Sequence, residues 1–192
     1  MTAATPAALK LPTTLSDLDL KFAKALSTFV PAIWPEGEDG KPEKFLQAEA
    51  AASIAHVFIR SCPLHARLSN AKIAYLFRQA IVKGGKEKGG VASRASSKVA
   101  YLTGFDFVIE FSHDIWLKLT PEQRLALVDH ELAHCERDPE TGAWTMRDHD
   151  VEEFSDVVNR WGLWTLPLRG FGRALETAQI DLFDSSERED EL

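Results

Sequence analysis

The sequence predicts an α+β domain: upstream helices, a small mixed or antiparallel sheet, and then two further helices. Three observations carry this expectation. An Ala-rich run over residues 43–60 has helical character, residues 105–112 alternate apolar and polar side chains, and Thr120-Pro121-Glu122-Gln123 spells a helix start soon afterwards. Alternation with period two marks a strand with one buried face. A Thr followed three residues later by Gln is a capping box, and Pro is well suited to the first helical turn.

Taken in chain order, residues 1–14 are rich in Ala, Thr and Pro and read as a flexible arm. Over 16–30, Leu18, Phe22, Leu26 and Phe29 recur near helical spacing, which predicts a first helix. Residues 31–42 read as a loop, and 43–60 as a second helix closed by Cys62-Pro63. Residues 71–78 and 98–102 are short strand candidates on either side of Lys83-Gly-Gly-Lys-Glu-Lys-Gly-Gly90, which suggests a hairpin with a long loop. In the strongest strand, Phe105, Phe107, Ile109 and Phe111 alternate with Asp106, Val108, Glu110 and Ser112. The helix opened by Thr120 has Leu125, Val128 and Leu132 to anchor it. A further helix over about 149–161 aligns Val151, Phe154, Val158 and Trp161, with Gly162 as its stop. The domain is expected over 15–184, followed by an acidic tail over 185–192.

A chain of 192 residues, 45% hydrophobic and 27% charged, fits one globular domain with tails. No run of about 18 uncharged apolar residues is present, and the N-terminus lacks a basic start followed by an apolar stretch. Neither a membrane span nor a secretion signal is expected, and a cytoplasmic location is. Cys62 and Cys135 are too few for a disulfide framework and read as reduced thiols. The net charge of −7 argues against general nucleic-acid affinity. That charge is uneven, however. Residues 60–100 carry nine Lys or Arg against Glu87 alone, while 181–192 carry six acids against Arg188. The Lys-Gly stretch inside the basic segment reads either as a solvated hairpin tip or as a phosphate-contacting finger.

The chemistry concentrates in His130-Glu131-Leu132-Ala133-His134. Four residues are slightly more than one helical turn, so the two imidazoles project from one face and can hold one ion. Neutral imidazole is a good zinc ligand. Glu131, one position along, can take a proton from water that the metal activates. Cys135 adjoins His134, but neighbouring helical positions point about 100° apart, so it is expected to pack instead. His56, His65 and His113 read as hydrogen-bonded or exposed histidines. Two ligands leave a catalytic zinc site incomplete, since three protein ligands are usual. The segment His149-Asp150-Val151-Glu152-Glu153-Phe154-Ser155-Asp156 offers every usual type for the third.

His-Glu-Leu-Ala-His after a Phe-rich strand, followed by that His149-to-Asp156 segment and Trp161-Gly162, resembles the phage metallopeptidase family over residues 71–164. More distantly it is similar to the SprT-like zinc peptidases. The resemblance implies a zincin-like fold and zinc-dependent hydrolysis of protein or peptide substrates, in the cytoplasm of a bacterium or a phage-infected host. The SprT-like pattern, a downstream His followed by a Phe, implies His149 as third ligand. Glu152-x-x-Ser155-Asp156 resembles instead the gluzincin segment, which implies Glu152 with Asp156 supporting a histidine. Arg137 and Glu140 stand where a metzincin would have Gly and its third His, which sets that group aside. The set carried forward is His130, His134 and His149 on zinc, with Glu131 as general base. An extended peptide adding to an exposed sheet edge is the expected mode of substrate binding. Tyr75, Tyr101, His113 and Arg147 are the candidates for stabilising an oxyanion. Two functions of other classes stay open: a protein that keeps zinc for structure alone, against which Glu131 argues, and a nucleic-acid-associated factor that uses the basic segment over 60–100.

Overall fold

In the computed structural model, residues 16–28, 30–151, 158, 161–163 and 165–186 are described. Their contacts divide the chain into two compact units, Met1–Arg147 and Asp148–Leu192.

The first unit opens with α1 (Asp17–Leu26), capped by the Ser16 hydroxyl, which accepts the Asp19 N–H. Its inner face is Ala23 with Leu20 and Leu26, joined by Val30 beyond the helix end. Phe22, one of the periodic residues, is more than half exposed. The small Ala23 is buried in its place; Phe29 and the side chain of Leu18 lie outside the described residues. Next come β1 (Leu46–Gln47) and α2 (Glu49–Ser61). The second helix therefore starts six residues later than residue 43, because Leu46 and Gln47 are drawn into pairing with the sheet. It buries Ala50, Ala51, Ile54, Ala55, Val57 and Phe58, and ends where Cys62 turns extended ahead of Pro63. A 3-10 turn over Pro63–Leu68 follows.

The remaining elements of this unit are β2 (Ile73–Arg78), β3 (Val82–Lys83), β4 (Lys86–Glu87), β5 (Gly90–Arg94), α3 (Ser97–Thr103), β6 (Phe107–Ser112), α4 (His113–Lys118), α5 (Pro121–Ala133), β7 (Cys135–Arg137) and β8 (Trp144–Met146). Four strands form one sheet in the order β1-β2-β6-β5. Strands β2 and β6 run parallel, while β1 and β5 flank them antiparallel, so the sheet is the mixed variant of the expected pair. Phe107, Ile109 and Phe111 point inward from β6 as the alternation predicts, whereas Phe105 precedes the strand and is partly exposed. Phe77, Phe111 and Trp116 meet edge to face at ring separations of 5.4 to 6.3 Å. Fully burying each such ring stabilises the fold by about 2 kcal/mol or more.

One expected strand is a helix. Residues 98–102 lie inside α3, which the Ser96 hydroxyl caps at its start by accepting the Val99 N–H. Gly104 caps its end at φ +74°, a backbone conformation that costs glycine least. No residue of α3 is buried, so local capping rather than core packing decides its form. The sheet partner is β5 instead. The Lys-Gly stretch is a hairpin tip, with β3 and β4 joined through Gly84 and Gly85, both at positive φ as a tight primed turn requires.

In the second unit, His149 and Val151 are in irregular backbone rather than in a first helical turn. Residues 152–157, including Phe154, lie outside the described residues. The expected stop at Gly162 is present: its φ is +66° and its N–H donates to the Val158 carbonyl at 2.8 Å. Trp161 is largely exposed. A long helix, α6 (Leu166–Ser186), closes the described chain and was not expected from the sequence. The arm over 1–14 and residues 187–192 of the tail lie outside the described residues. Among those described, no helix is long and apolar enough to cross a membrane.

Candidate metal centre

The motif helix is held at both ends. At its start the capping box is complete: the Gln123 N–H donates to the Thr120 hydroxyl at 3.3 Å, and the Thr120 N–H to the Gln123 side-chain carbonyl at 3.0 Å. One turn in, the Arg124 guanidinium donates to the carbonyls of Trp116 and Ser27, at 2.9 and 2.8 Å, tying α5 to α4 and to the residue after α1. Leu125, Val128 and Leu132 are buried at a three-and-four spacing, which fixes the roll of the helix. His130 is consequently exposed and His134, the C-cap residue, is half-buried; their rings lie 5.0 Å apart and nearly perpendicular.

His134 is oriented by the hairpin that follows. Strands β7 and β8 pair Cys135 with Met146, and the next pair outward is His134 with Arg147. The Arg147 N–H donates to the His134 carbonyl at 2.8 Å, and the His134 Nδ1 donates to the Arg147 carbonyl at the same distance. A carbonyl can only accept, so Nδ1 carries the proton and the lone pair of His134 resides on Nε2. This is how ligating histidines are usually fixed. Two residues beyond Arg147 comes His149, exposed. His130, His134 and His149 each offer a ring nitrogen, and these atoms lie within 4.8 Å of one another. A set of three imidazoles is chemically suited to a borderline divalent ion such as zinc.

Glu131 is buried, although it is ionisable and one residue from exposed His130. Burial is the largest influence on its carboxyl and pushes the pKa up; the electrostatic influence of the neighbouring His134, the Ala92 N–H and Lys88 act in the opposite direction. Its surroundings come from β5. A Cβ at Gly90 would stand 2.7 Å from Glu131 Oε1 and 2.9 Å from Cδ, so only glycine lets the carboxyl lie this close to the strand. The sequence alone predicts Gly90 as part of the loop tip. Its signal was a glycine opening a short run of strand-compatible residues, Val91 to Ser93.

The other sequence candidates fall elsewhere. Tyr75 is buried in the core, where desolvation raises its pKa. His113 is buried and donates to the Pro31 carbonyl at 2.7 Å. Tyr101 stands exposed on α3, and the backbone of Arg147 is bound to His134. Of the remaining histidines, His65 is buried 2.5 Å from Asp129 and His56 is exposed, edge-on to Tyr75. Cys135 packs, as expected, but as the first residue of β7 rather than on the helix. Its thiol is pushed up to about 12, by burial first and then by the Glu131 charge. Both cysteines are buried. Glu152 and Asp156 lie outside the described residues.

No curated protein and no solved structure matches the chain. The family model described as putative phage metallopeptidase matches residues 43–178, well over half of the sequence, from the strand that precedes α2 to the middle of α6. With the paired histidines, the buried glutamate and the third histidine all inside that span, the chain belongs to the putative phage metallopeptidase family.

Proposed function

We propose that this protein is a zinc-dependent peptidase in which His130, His134 and His149 hold the metal and Glu131 is the general base. The observation that carries the reading is the carboxyl of Glu131, buried within electrostatic reach of His134 and pressed against an edge strand. A structural site gains nothing from a buried carboxyl in that position, and keeping one there costs desolvation energy. Zinc supplies Lewis acidity toward a carbonyl and makes water more acidic. The raised pKa of Glu131 makes it a better proton acceptor than a solvated carboxylate. It takes a proton from the attacking water and delivers it to the departing amine. His149 is favoured as third ligand because it is two residues from the carbonyl that orients His134, and imidazole completes a neutral set.

Substrate would lie along β5. That strand pairs with β6 on one side only, and the bonds from Ser112 to Gly89 and from Ala95 to Asp106 mark the inward-facing positions. Antiparallel alternation therefore turns the backbone groups of Gly90, Ala92 and Arg94 outward; the Ala92 N–H is taken by the Glu131 carboxyl, and an extended peptide can pair with Gly90, Arg94 and the Ala92 carbonyl. The reducing cytoplasm is the compartment we assign, consistent with two buried, unbridged thiols.

The test is Glu131→Gln. The variant keeps its fold and near-stoichiometric zinc, while peptide hydrolysis falls by a factor of at least about 100, the contribution typical of general-base assistance. Undiminished hydrolysis would falsify the mechanism. A wild-type protein that carries full zinc and cleaves no peptide would move the site to a structural role.

A further inference from the structure

We propose that the β3–β4 hairpin is a specificity arm that selects peptides carrying acidic residues beside the bond to be cleaved. The inference rests on the peptidase reading and names its substrate class.

Charge gives the first argument. The protein carries a net −7, yet between Val82 and Phe105 there are Lys83, Lys86, Lys88, Arg94 and Lys98 against Glu87 alone. Some cations elsewhere are paired with carboxylates, as in Lys24 with Glu122, Lys41 with Asp39 and Arg78 with Glu110. Among the described residues none of Lys83, Lys86 and Lys88 forms an ion pair with a carboxylate. An isolated run of lysines is ordinarily a solvated surface, so charge alone decides nothing.

Position supplies the second argument. The root of the hairpin is fixed: Ile81 is buried, and the Lys88 N–H donates to its carbonyl at 2.9 Å. Gly89 lies against Leu127 of α5, with room for a Cβ only 3.2 Å from that side chain. Gly90, where β5 begins, touches the Glu131 carboxyl, and Lys88 acts on that carboxyl electrostatically. The hairpin thus leads straight into the strand edge that a peptide would pair with, at the end next to Glu131. A peptide on β5 would pass beside Lys88, Lys86 and Lys83 as it leaves the site.

These observations favour a peptide over a nucleic acid. Both are drawn to lysines, but the outward backbone groups of Gly90 and Arg94 and the Ala92 carbonyl reward an extended polypeptide and give a phosphate backbone nothing comparable. Exposed ion pairs each change affinity by a factor of roughly 1.4 to 5. Three lysines together should give about a tenfold preference for an acidic peptide over its neutral isostere.

The experiment uses full-length, zinc-loaded Glu131→Gln protein and fluorescent peptides of one length, bearing Asp and Glu in one and Asn and Gln in the other. Anisotropy at low salt should show the acidic peptide binding about tenfold more tightly. In Lys83→Ala/Lys86→Ala/Lys88→Ala the preference should vanish, in the corresponding triple Arg variant it should persist, and rising salt should erase it. Equal binding of the two peptides overturns the proposal. So does a DNA or RNA oligonucleotide that binds more tightly than the acidic peptide and loses affinity in the Ala variant, which would assign the hairpin to nucleic acid. Wild-type protein that cleaves both peptides equally well overturns the specificity and leaves the peptidase reading intact. Charge-dependent binding without cleavage by wild type upholds the hairpin's role and removes the peptidase reading.

Discussion

Gly90→Ala places a methyl group where the Glu131 carboxyl now lies. The added Cβ would stand 2.7 Å from Oε1 and 2.9 Å from both Cδ and Cγ, where ordinary contact begins at 3.4 Å. The carboxyl must therefore retreat by about 0.7 Å. The backbone accepts the change, because Gly90 is not among the glycines at positive φ. Overpacking costs about 1–3 kcal/mol, partly offset by the roughly 0.5–1 kcal/mol that alanine regains over glycine in a strand. A domain stable by about 5–15 kcal/mol survives that. Catalysis is less tolerant, since misplacing a reacting group by about 1 Å can cost about 100-fold. The expected result is a 10- to 100-fold loss in kcat/KM with zinc content unchanged, because the histidines are untouched. The assay is continuous cleavage of a quenched peptide beside zinc stoichiometry and thermal unfolding. Gly89→Ala is the control: its Cβ meets the end of the Leu127 side chain at 3.2 Å and the Ile115 Cγ2 at an ordinary 3.8 Å, and the expected loss is a few-fold at most. Full activity in Gly90→Ala would show that the Glu131 carboxyl does not work from its place against β5.

Two further predictions concern the third ligand and the buried thiol. His149→Ala should lose zinc to a chelator far more readily than Glu152→Ala, whose loss as an outer partner would cost about 10- to 100-fold; the reverse order would make Glu152 the ligand. Cys135, with its thiol pushed up to about 12, should resist a disulfide reagent at pH 8 in the folded protein and react once urea unfolds it. The unfolded thiol ionises from its ordinary value of 9.0, so ionisation favours the unfolded chain: this group's effect on stability is absent below pH 9 and grows more unfavourable as pH rises toward 12. Rapid labelling of native protein at pH 8 would contradict the burial.

How much the sequence revealed depends on the range of the interactions involved. His130, Glu131 and His134 share one helix, and the residues that start and anchor it, Thr120, Gln123, Leu125, Val128 and Leu132, are within a few turns of them. Everything needed to read that half is local. The alternation over 107–112 was legible for the same reason. The expected strand over 98–102 failed although its correction was written nearby: Ser96 and Gly104 are a start and a stop, and an apolar content that resembles a strand gave way to those caps. Gly90 was harder. Its contact with Glu131 spans 41 positions and exists only because β5 takes the edge beside β6, a choice that neither segment encodes by itself.

His134 carries this one step further. Its identity as a ligand candidate was plain from spacing, but its chemistry depends on which ring nitrogen holds the proton, and that is decided by a backbone carbonyl at position 147. Any residue there would present a carbonyl, so no side chain announces the contact. What places that carbonyl is the β7–β8 hairpin, whose turn is built by Asp138 accepting the N–H groups of Glu140 and Thr141 and by Gly142 at φ +69°. The helix stops at Ala133, and Cys135 already belongs to the hairpin, so the ladder that continues to His134 and Arg147 ties the ring to the turn. Asp138 gains from those donors, which hold its carboxyl below the ordinary carboxylate range. Asp138, four positions past His134 and outside the histidine cluster, thus contributes through the turn to whether Nε2 of His134 is available to bind an ion.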